Sequence, residues 1–333
     1  MFTKHPGGLR LLTVHAHPDD ESSKGAATLA RYAAEGVDVL VVTCTGGERG
    51  SVLNPELDRP EIRADLARVR RAEMAAAREI LGVRQEFLSF VDSGMPGPDE
   101  PLPEGCFAVQ SVEVAAAPLV ALIREFRPHV VITYDETGGY PHPDHVMTHK
   151  VAVEAFEAAA DPGRHPESGE PWQAAKLYYH LALSRAWFQT MHDAMTERGI
   201  PSEMGGLLAE WPDTPPALAT TTRIACAEQF AVRDAAMLAH ATQVQPGVAF
   251  MAHPRSVERE VWPTEEYHLA RTFVPSPGSA AGVDAAGVEA AGVDAAGLEA
   301  AGGAGAVETD LFVGLRAGAG LSQSSFDQGR LIS

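Results

Sequence analysis

The chain has 333 residues, 45% hydrophobic and 21% charged, an ordinary balance for a globular protein with one large α/β domain or one domain and an appendage. Its 26 basic and 45 acidic side chains give a net charge of −19, which argues against nucleic acid and anionic membrane as partners. Three scattered cysteines, Cys44, Cys106 and Cys226, form no CxxC pair and exclude a disulfide framework or thiolate zinc knuckle. With no charged-then-apolar leader at the start, the expected home is the cytoplasm.

In chain order, residues 9–15 read as a strand and 22–35 as a helix with Ala26, Leu29, Ala30 and Ala33 on one face. The continuous apolar run at 37–45 has the pattern of a strand buried on both sides. An arginine-rich helix at 61–81 should end at Gly82 as its cap, with Arg63, Arg68, Arg71 and Arg78 on a solvated face. Strands at 86–91 and 129–134 bracket a helix at 111–126, and a helix at 146–160 follows. This β-α-β-α order predicts a Rossmann-like α/β fold, a mostly parallel sheet with helices on both faces. Ligands in such folds bind beyond the carboxyl ends of the strands. The polar loops 15–21, 46–54, 92–97 and 135–145 should therefore meet at one rim.

The second half reads as strands at 175–181 and 220–225, helices at 184–198 and 228–241, and an irregular stretch at 201–216. Residues 282–301 repeat a five-residue unit (GVDAA, GVEAA, GVDAA, GLEAA), a period of neither helix nor strand, expected to form a linker. The tail after it is expected to dock back on the body. The organisation expected is a metal-binding catalytic portion at 1–175, a portion at 176–275 completing the substrate pocket, the linker at 276–305 and a tail at 306–333.

The segment His15-Ala-His-Pro-Asp-Asp-Glu21 packs two histidines and three carboxylates behind the first strand. Such crowding is electrostatically costly unless a cation offsets it, and mixed imidazole–carboxylate ligation suits zinc or iron(II). A second cluster, Tyr140-Pro-His142-Pro-Asp144-His145, follows the fourth strand, with prolines limiting its drift. Two such clusters at strand ends point to one metal site. His149, four residues after His145, lacks the glutamate of a zinc-protease pair. His15 and Glu21 read as groups supporting the ligands, His240 and Gln243 as pocket-lining or structural, and His180, His192, His253 and His268 as ordinary.

HAHPDDE followed by HPDH resembles the LmbE-like (PIG-L type) metal-dependent deacetylases across residues 9–275. SSKGA at 22–26, GGERGSVLNP at 46–55, VDSGMP at 91–96, HATQ at 240–243 and WPTEEY at 262–267 are similar to its mycothiol S-conjugate amidase branch. The resemblance implies His17, Asp20 and His145 as metal ligands for zinc, with iron(II) also suitable. It implies Asp19 as the general base, His142 as the general acid, Tyr140 as the group meeting the oxyanion and Asp144 as the partner orienting His142. It implies Arg70 and Asp92 as contacts to the sugar–inositol end, and Lys24 as a contact to the acyl part. Ser51 departs from an acidic residue common at that place in relatives. The implied substrate is a small thiol-sugar conjugate cut at its amide. The alternatives are the sister deacetylase of N-acetylglucosaminyl-inositol and a non-catalytic metal- or nucleotide-binding module. The latter is disfavoured because no G-x-G-x-x-G or Walker loop follows the first strand.

Overall fold

The computed structural model describes residues 8–97, 100–211, 218–248, 251–274, 293–294 and 307–316. Seven strands form one sheet: β1 (Arg10–His15), β2 (Asp38–Thr45), β3 (Arg84–Phe90), β4 (Val130–Thr133), β5 (Lys176–His180), β6 (Thr222–Ala225) and β7 (Thr264–Thr272). Their order is β3-β2-β1-β4-β5-β7-β6, and the two-residue strand Val293–Asp294 pairs with β7. The five strands from β3 to β5 run parallel, while β7 is antiparallel to both β5 and β6. The helices are α1 (Asp20–Ser23), α2 (Ala26–Ala34), α3 (Pro60–Arg63), α4 (Leu66–Leu81), α5 (Val112–Phe126), α6 (Pro143–Ala158), α7 (Arg185–Glu197), α8 (Met204–Glu210), α9 (Phe230–Ala239) and α10 (Arg255–Val261). The fold is the predicted mostly parallel α/β arrangement.

Alternation along β1 and β2 divides the core between the two faces of the sheet. Leu12, Val14, Leu40 and Val42 pack with Leu119 of α5 and Val151 and Phe156 of α6. Leu11, Val39 and Val41 point the other way, to Leu29 and Tyr32 of α2 and Met74 of α4. The chain winds outward from β1 through β2 and β3 on one side, and through β4 and β5 on the other. The loops leaving β1 and β4 therefore diverge at a topological switch point, where such folds open a crevice.

Several boundaries differ from those read in the sequence. The helix expected at 22–35 is split into α1 and α2, because Gly25 takes φ +100 and its vacant Cβ position lies 3.1 Å from the Tyr267 hydroxyl. The helix expected at 61–81 is broken between α3 and α4, and Gly82 closes α4 with φ +71 as expected. The helix expected from 146 begins at Pro143, whose fixed φ suits the first helical position, and His142 caps it. Asp144 and His145 thus sit on a rigid first turn rather than in a loop. Met204–Glu210 is helical within the stretch expected to be irregular, and residues 212–216 of it lie outside the described residues. The repeat at 282–301 lies outside the described residues apart from 293–294.

Besides α8, α10 and the nine-residue β7 were not foreseen. β7 carries Glu265 and Glu266, which break the apolar pattern of a strand. Glu265 instead accepts the backbone N–H groups of Ala27 and Thr28, and Glu266 pairs with Arg223. Residues 307–316 return to the body as the tail was expected to do. Leu311 and Phe312 are fully buried beside Tyr32, whose hydroxyl donates to Asp310 and accepts the Leu311 N–H, both at 2.8 Å. Glu308 accepts from the Tyr178 hydroxyl at 2.9 Å and pairs with Lys176 at 3.2 Å.

Candidate metal centre

The chain leaves β1 at His15 and turns sharply at Asp19, a non-glycine residue with φ +105. The turn sends Asp20 inward and leaves the Asp19 side chain 27% exposed. Buried partners hold it in place. The Asp19 N–H donates to Glu21, which forms a 2.7 Å pair with His240, both fully buried. Burial opposes charge on Glu21, but His240 outweighs it and holds the carboxyl down at about 2. Arg70, only 4% exposed, donates to the Pro18 and Gly47 carbonyls and lies 3.3 Å from Asp19 Oδ1. Burial raises the Asp19 carboxyl above its ordinary range, with Arg70 opposing.

The four loops meet at one rim. His17 Nδ1 lies 3.5 Å from Asp20 Oδ2, and His145 Nε2 lies 3.3 Å from the same oxygen. These three residues form a buried set whose ligand atoms all fall within 4.8 Å of one another. Bonds of about 2.0–2.1 Å in a tetrahedron put neighbouring ligand atoms about 3.4 Å apart, so this spacing fits a divalent cation. The His145 ring supplies a second test. Its Nδ1 donates to the Gly138 carbonyl at 3.0 Å, which fixes the tautomer and leaves a lone pair on Nε2. That buried Nε2 has no hydrogen-bond partner among the described residues. Gly138 allows the approach, since a Cβ there would fall 2.6 Å from that of His145. A second grouping, His17, His142 and Asp144, shares His17. In that grouping Asp144 accepts from the Ser93 N–H and hydroxyl, and His142 Nδ1 accepts the Asp144 N–H.

The electrostatics fit a cationic centre. Burial opposes charge on His17, yet hydrogen bonds to Asp144, Asp20 and Asp92 outweigh it and hold the imidazole well above its usual range. Burial likewise opposes charge on Asp20, but His145 and Lys24 hold it well below the usual carboxylate range. His142 is pushed down to about 4 by burial and by the neighbouring His17, whose ring centre is 4.7 Å away. Burial also raises the Tyr140 phenol, keeping it protonated. Tyr140 is 42% exposed, and its ring centre lies 4.5 Å from that of His145.

Four expected roles meet a different geometry. The Asp144 carboxylate faces His17 at 3.2 Å and Ser93, and reaches His142 through its backbone N–H. Asp92 is 2% exposed, accepts the N–H groups of Arg49 and Gly94, and lies 3.7 Å from His17 Nε2. Asp92 and Arg70 therefore also brace the loops, while Arg70 Nε has no hydrogen-bond partner among the described residues. Lys24 donates to Asp20 Oδ1 at 2.6 Å, inside the cluster. His15 bonds Thr13 and Tyr134, His149 donates to the Tyr134 carbonyl, and Gln243 donates to the Ser51 carbonyl.

Sequence reasoning missed Ser93, Glu48, Tyr134 and His180. Glu48 accepts the Asp92 N–H, and the Tyr134 ring stacks 4.5 Å from that of His145. His180 was read as ordinary, yet its ring lies 4.8 Å from that of Tyr134. Both end or follow parallel strands, so the strand-end rule applied to β4 and β5 would have flagged them.

Residues 12–156 match the PIG-L family, described as GlcNAc-PI de-N-acetylase. The mycothiol S-conjugate amidase of Streptomyces coelicolor is 54% identical over 80% of this chain and 93% of its own. The chain belongs to the PIG-L family. A second relative, the 1D-myo-inositol 2-acetamido-2-deoxy-alpha-D-glucopyranoside deacetylase of Streptomyces avermitilis, is 41% identical over 79% of this chain and 92% of its own. The solved N,N'-diacetylchitobiose deacetylase of Pyrococcus horikoshii shares the fold at TM-score 0.56 and 18% identity, over 79% of this chain and 84% of that one. Among the described residues of this PIG-L member, no helix is long and apolar enough to cross a membrane.

Proposed function

We propose that the protein is a metal-dependent amidase that cleaves mycothiol S-conjugates into glucosaminyl-inositol and an N-acetylcysteine S-conjugate. The observation that carries this choice is 54% identity to the S. coelicolor amidase, against 41% to the deacetylase of S. avermitilis. The site supports amide hydrolysis in either case. His17, Asp20 and His145 would hold the ion, zinc by their imidazole–carboxylate donors, with iron(II) also suitable. Such an ion supplies Lewis acidity to a water and to the amide carbonyl.

The chain's own groups do the rest. Asp19, fixed by Arg70 and partly open to solvent, takes the proton from water. Tyr140 keeps its phenolic proton and donates a hydrogen bond to the oxygen that becomes anionic, a contact typically worth about 3 kcal/mol. His142 accepts at Nδ1, so its transferable proton is carried at Nε2. Negative charge developing beside it raises its proton affinity from the low resting value. The ring then takes up a second proton at Nδ1 in place of the Asp144 hydrogen bond, equivalent to the one Asp19 removed from water, and gives the Nε2 proton to the leaving amine. Asp144, Ser93 and Asp92 orient His17, and Arg70 positions Asp19.

The test is a side-by-side assay of a mycothiol S-conjugate and N-acetylglucosaminyl-inositol, with metal analysis of the same sample. Preferential release of the cysteine conjugate is expected. Preferential release of acetate would transfer the chain to the deacetylase reaction, and turnover surviving full metal depletion would overturn the metal role.

A further inference from the structure

A cleft of about 690 Å³, counting its part open to solvent, lies between the end of β5 and helices α7, α9 and α10. It begins beside the metal centre, because Ser23 and Gly25, the neighbours of Lys24, line it. His180 stands in its wall, two ring contacts from His145 through Tyr134. Leu183, Trp187, Met237 and Trp262 add an apolar, largely aromatic lining.

Charged groups also face the cleft, but they are tied to one another. Glu258 accepts from Arg233 at 2.8 and 2.7 Å and pairs with His253 at 3.0 Å, while Arg255 donates to Asp234 at 2.6 Å. What the cleft offers a ligand is therefore aromatic and apolar surface, with two unpartnered polar groups in its lining among the described residues, His180 and the Tyr267 hydroxyl. His180 is 6% exposed, and neither ring nitrogen has a hydrogen-bond partner among the described residues. A buried polar group left in that state is costly, so a ligand that meets it gains affinity.

We propose that this cleft is the subsite for the sulfur-borne substituent of the substrate, and that it selects aromatic or apolar substituents carrying a hydrogen-bonding group for His180. The inference rests on the amidase reading. In a cysteinyl amide the sulfur stands three bonds from the carbonyl carbon, so its substituent starts one short side chain from the metal centre. The cleft, lined by Ser23 and Gly25, lies on that flank.

The test compares S-benzyl and S-methyl conjugates of mycothiol on the holoenzyme, and calorimetric binding of S-benzyl- and S-methyl-N-acetylcysteine as the acyl-side halves. The wild-type protein should favour the benzyl conjugate about tenfold in kcat/KM, the discrimination an apolar pocket typically achieves, and bind the benzyl half more tightly. Ala182→Trp, at an exposed position lining the cleft, should reduce the benzyl-to-methyl ratio at least fivefold. Trp262→Ala should reduce the same ratio by removing the wall, so the inference does not depend on one variant folding. An unchanged ratio in both variants, with both conjugates cleaved, overturns the subsite and leaves the amidase reading standing. A wild-type enzyme that cleaves neither conjugate but releases acetate from N-acetylglucosaminyl-inositol overturns the amidase reading, and the subsite with it.

Discussion

The five parallel strands and the antiparallel pair β7–β6 belong to one sheet but carry different kinds of side chain at the site. The ends of β1, β2, β3 and β4 deliver histidines and carboxylates on short loops, braced by buried hydrogen bonds such as Ser93 to Asp144 and Arg70 to Pro18. The antiparallel side contributes Tyr267 and Glu265 to the cleft wall and takes the segment 307–316 along β6, with Glu308 bridged to Thr222. The difference teaches that ionisable groups gather where parallel strands end, on the strands that also carry most of the core, whereas the antiparallel side supplies cleft wall and the dock for 307–316.

That division can be broken experimentally. The largest effect is expected on the parallel side. His145→Ala should lose both bound metal and turnover, and Asp19→Asn should keep the metal while kcat falls about 10²–10⁴-fold, checked by metal analysis and steady-state kinetics. Metal retained at full stoichiometry in His145→Ala would remove that residue from the ligand set. Next, Phe312→Ala should destabilise the fold by about 3–5 kcal/mol in denaturant titration, because it empties a fully buried site, while leaving metal content intact in the folded protein.

A smaller, pH-dependent effect is expected at Glu258. Burial works against its charge, but His253 and Arg233 outweigh that and hold it at about 2, below the ordinary 4.5. A depressed carboxyl stabilises the folded state fully above pH 4.5, and that stabilisation is lost as pH falls towards 2. Glu258→Gln should therefore be less stable than wild type by about 1–3 kcal/mol at neutral pH, and the gap should close across that acid window. A gap independent of pH would show that packing, not charge, is at stake. The smallest effect is expected for Arg223→Ala. It removes a pair with Glu266 on an exposed side chain and should change stability by less than about 1 kcal/mol.

Much of the parallel side was legible in the sequence. The buried run of β2 has one reading, and the two motif clusters announce a shared cation through their charge density. The antiparallel side was less so. Glu265 and Glu266 disguise β7, because their partners, the N–H groups of α2 and the guanidinium of Arg223, lie far off in the chain. The site was legible in composition and less so in division of labour. Nothing local to Arg70 or Asp92 tells that each side chain also bonds loop backbone. His180 stands alone in sequence, and only the strand order brings it beside Tyr134.

The backbone at Asp19 bears on how the proposed base should be probed. A positive φ there is tolerated by asparagine, whose short polar side chain can hydrogen-bond locally, and resisted by alanine, which meets a steric cost of about 1–2 kcal/mol without that compensation. Asparagine removes the negative charge and keeps the bend, whereas alanine also pulls on Asp20, the next residue and a proposed ligand. Comparing metal affinity in the two variants separates conformational tension from acid–base chemistry: the asparagine form should bind the ion more tightly than the alanine form, although both are poor catalysts.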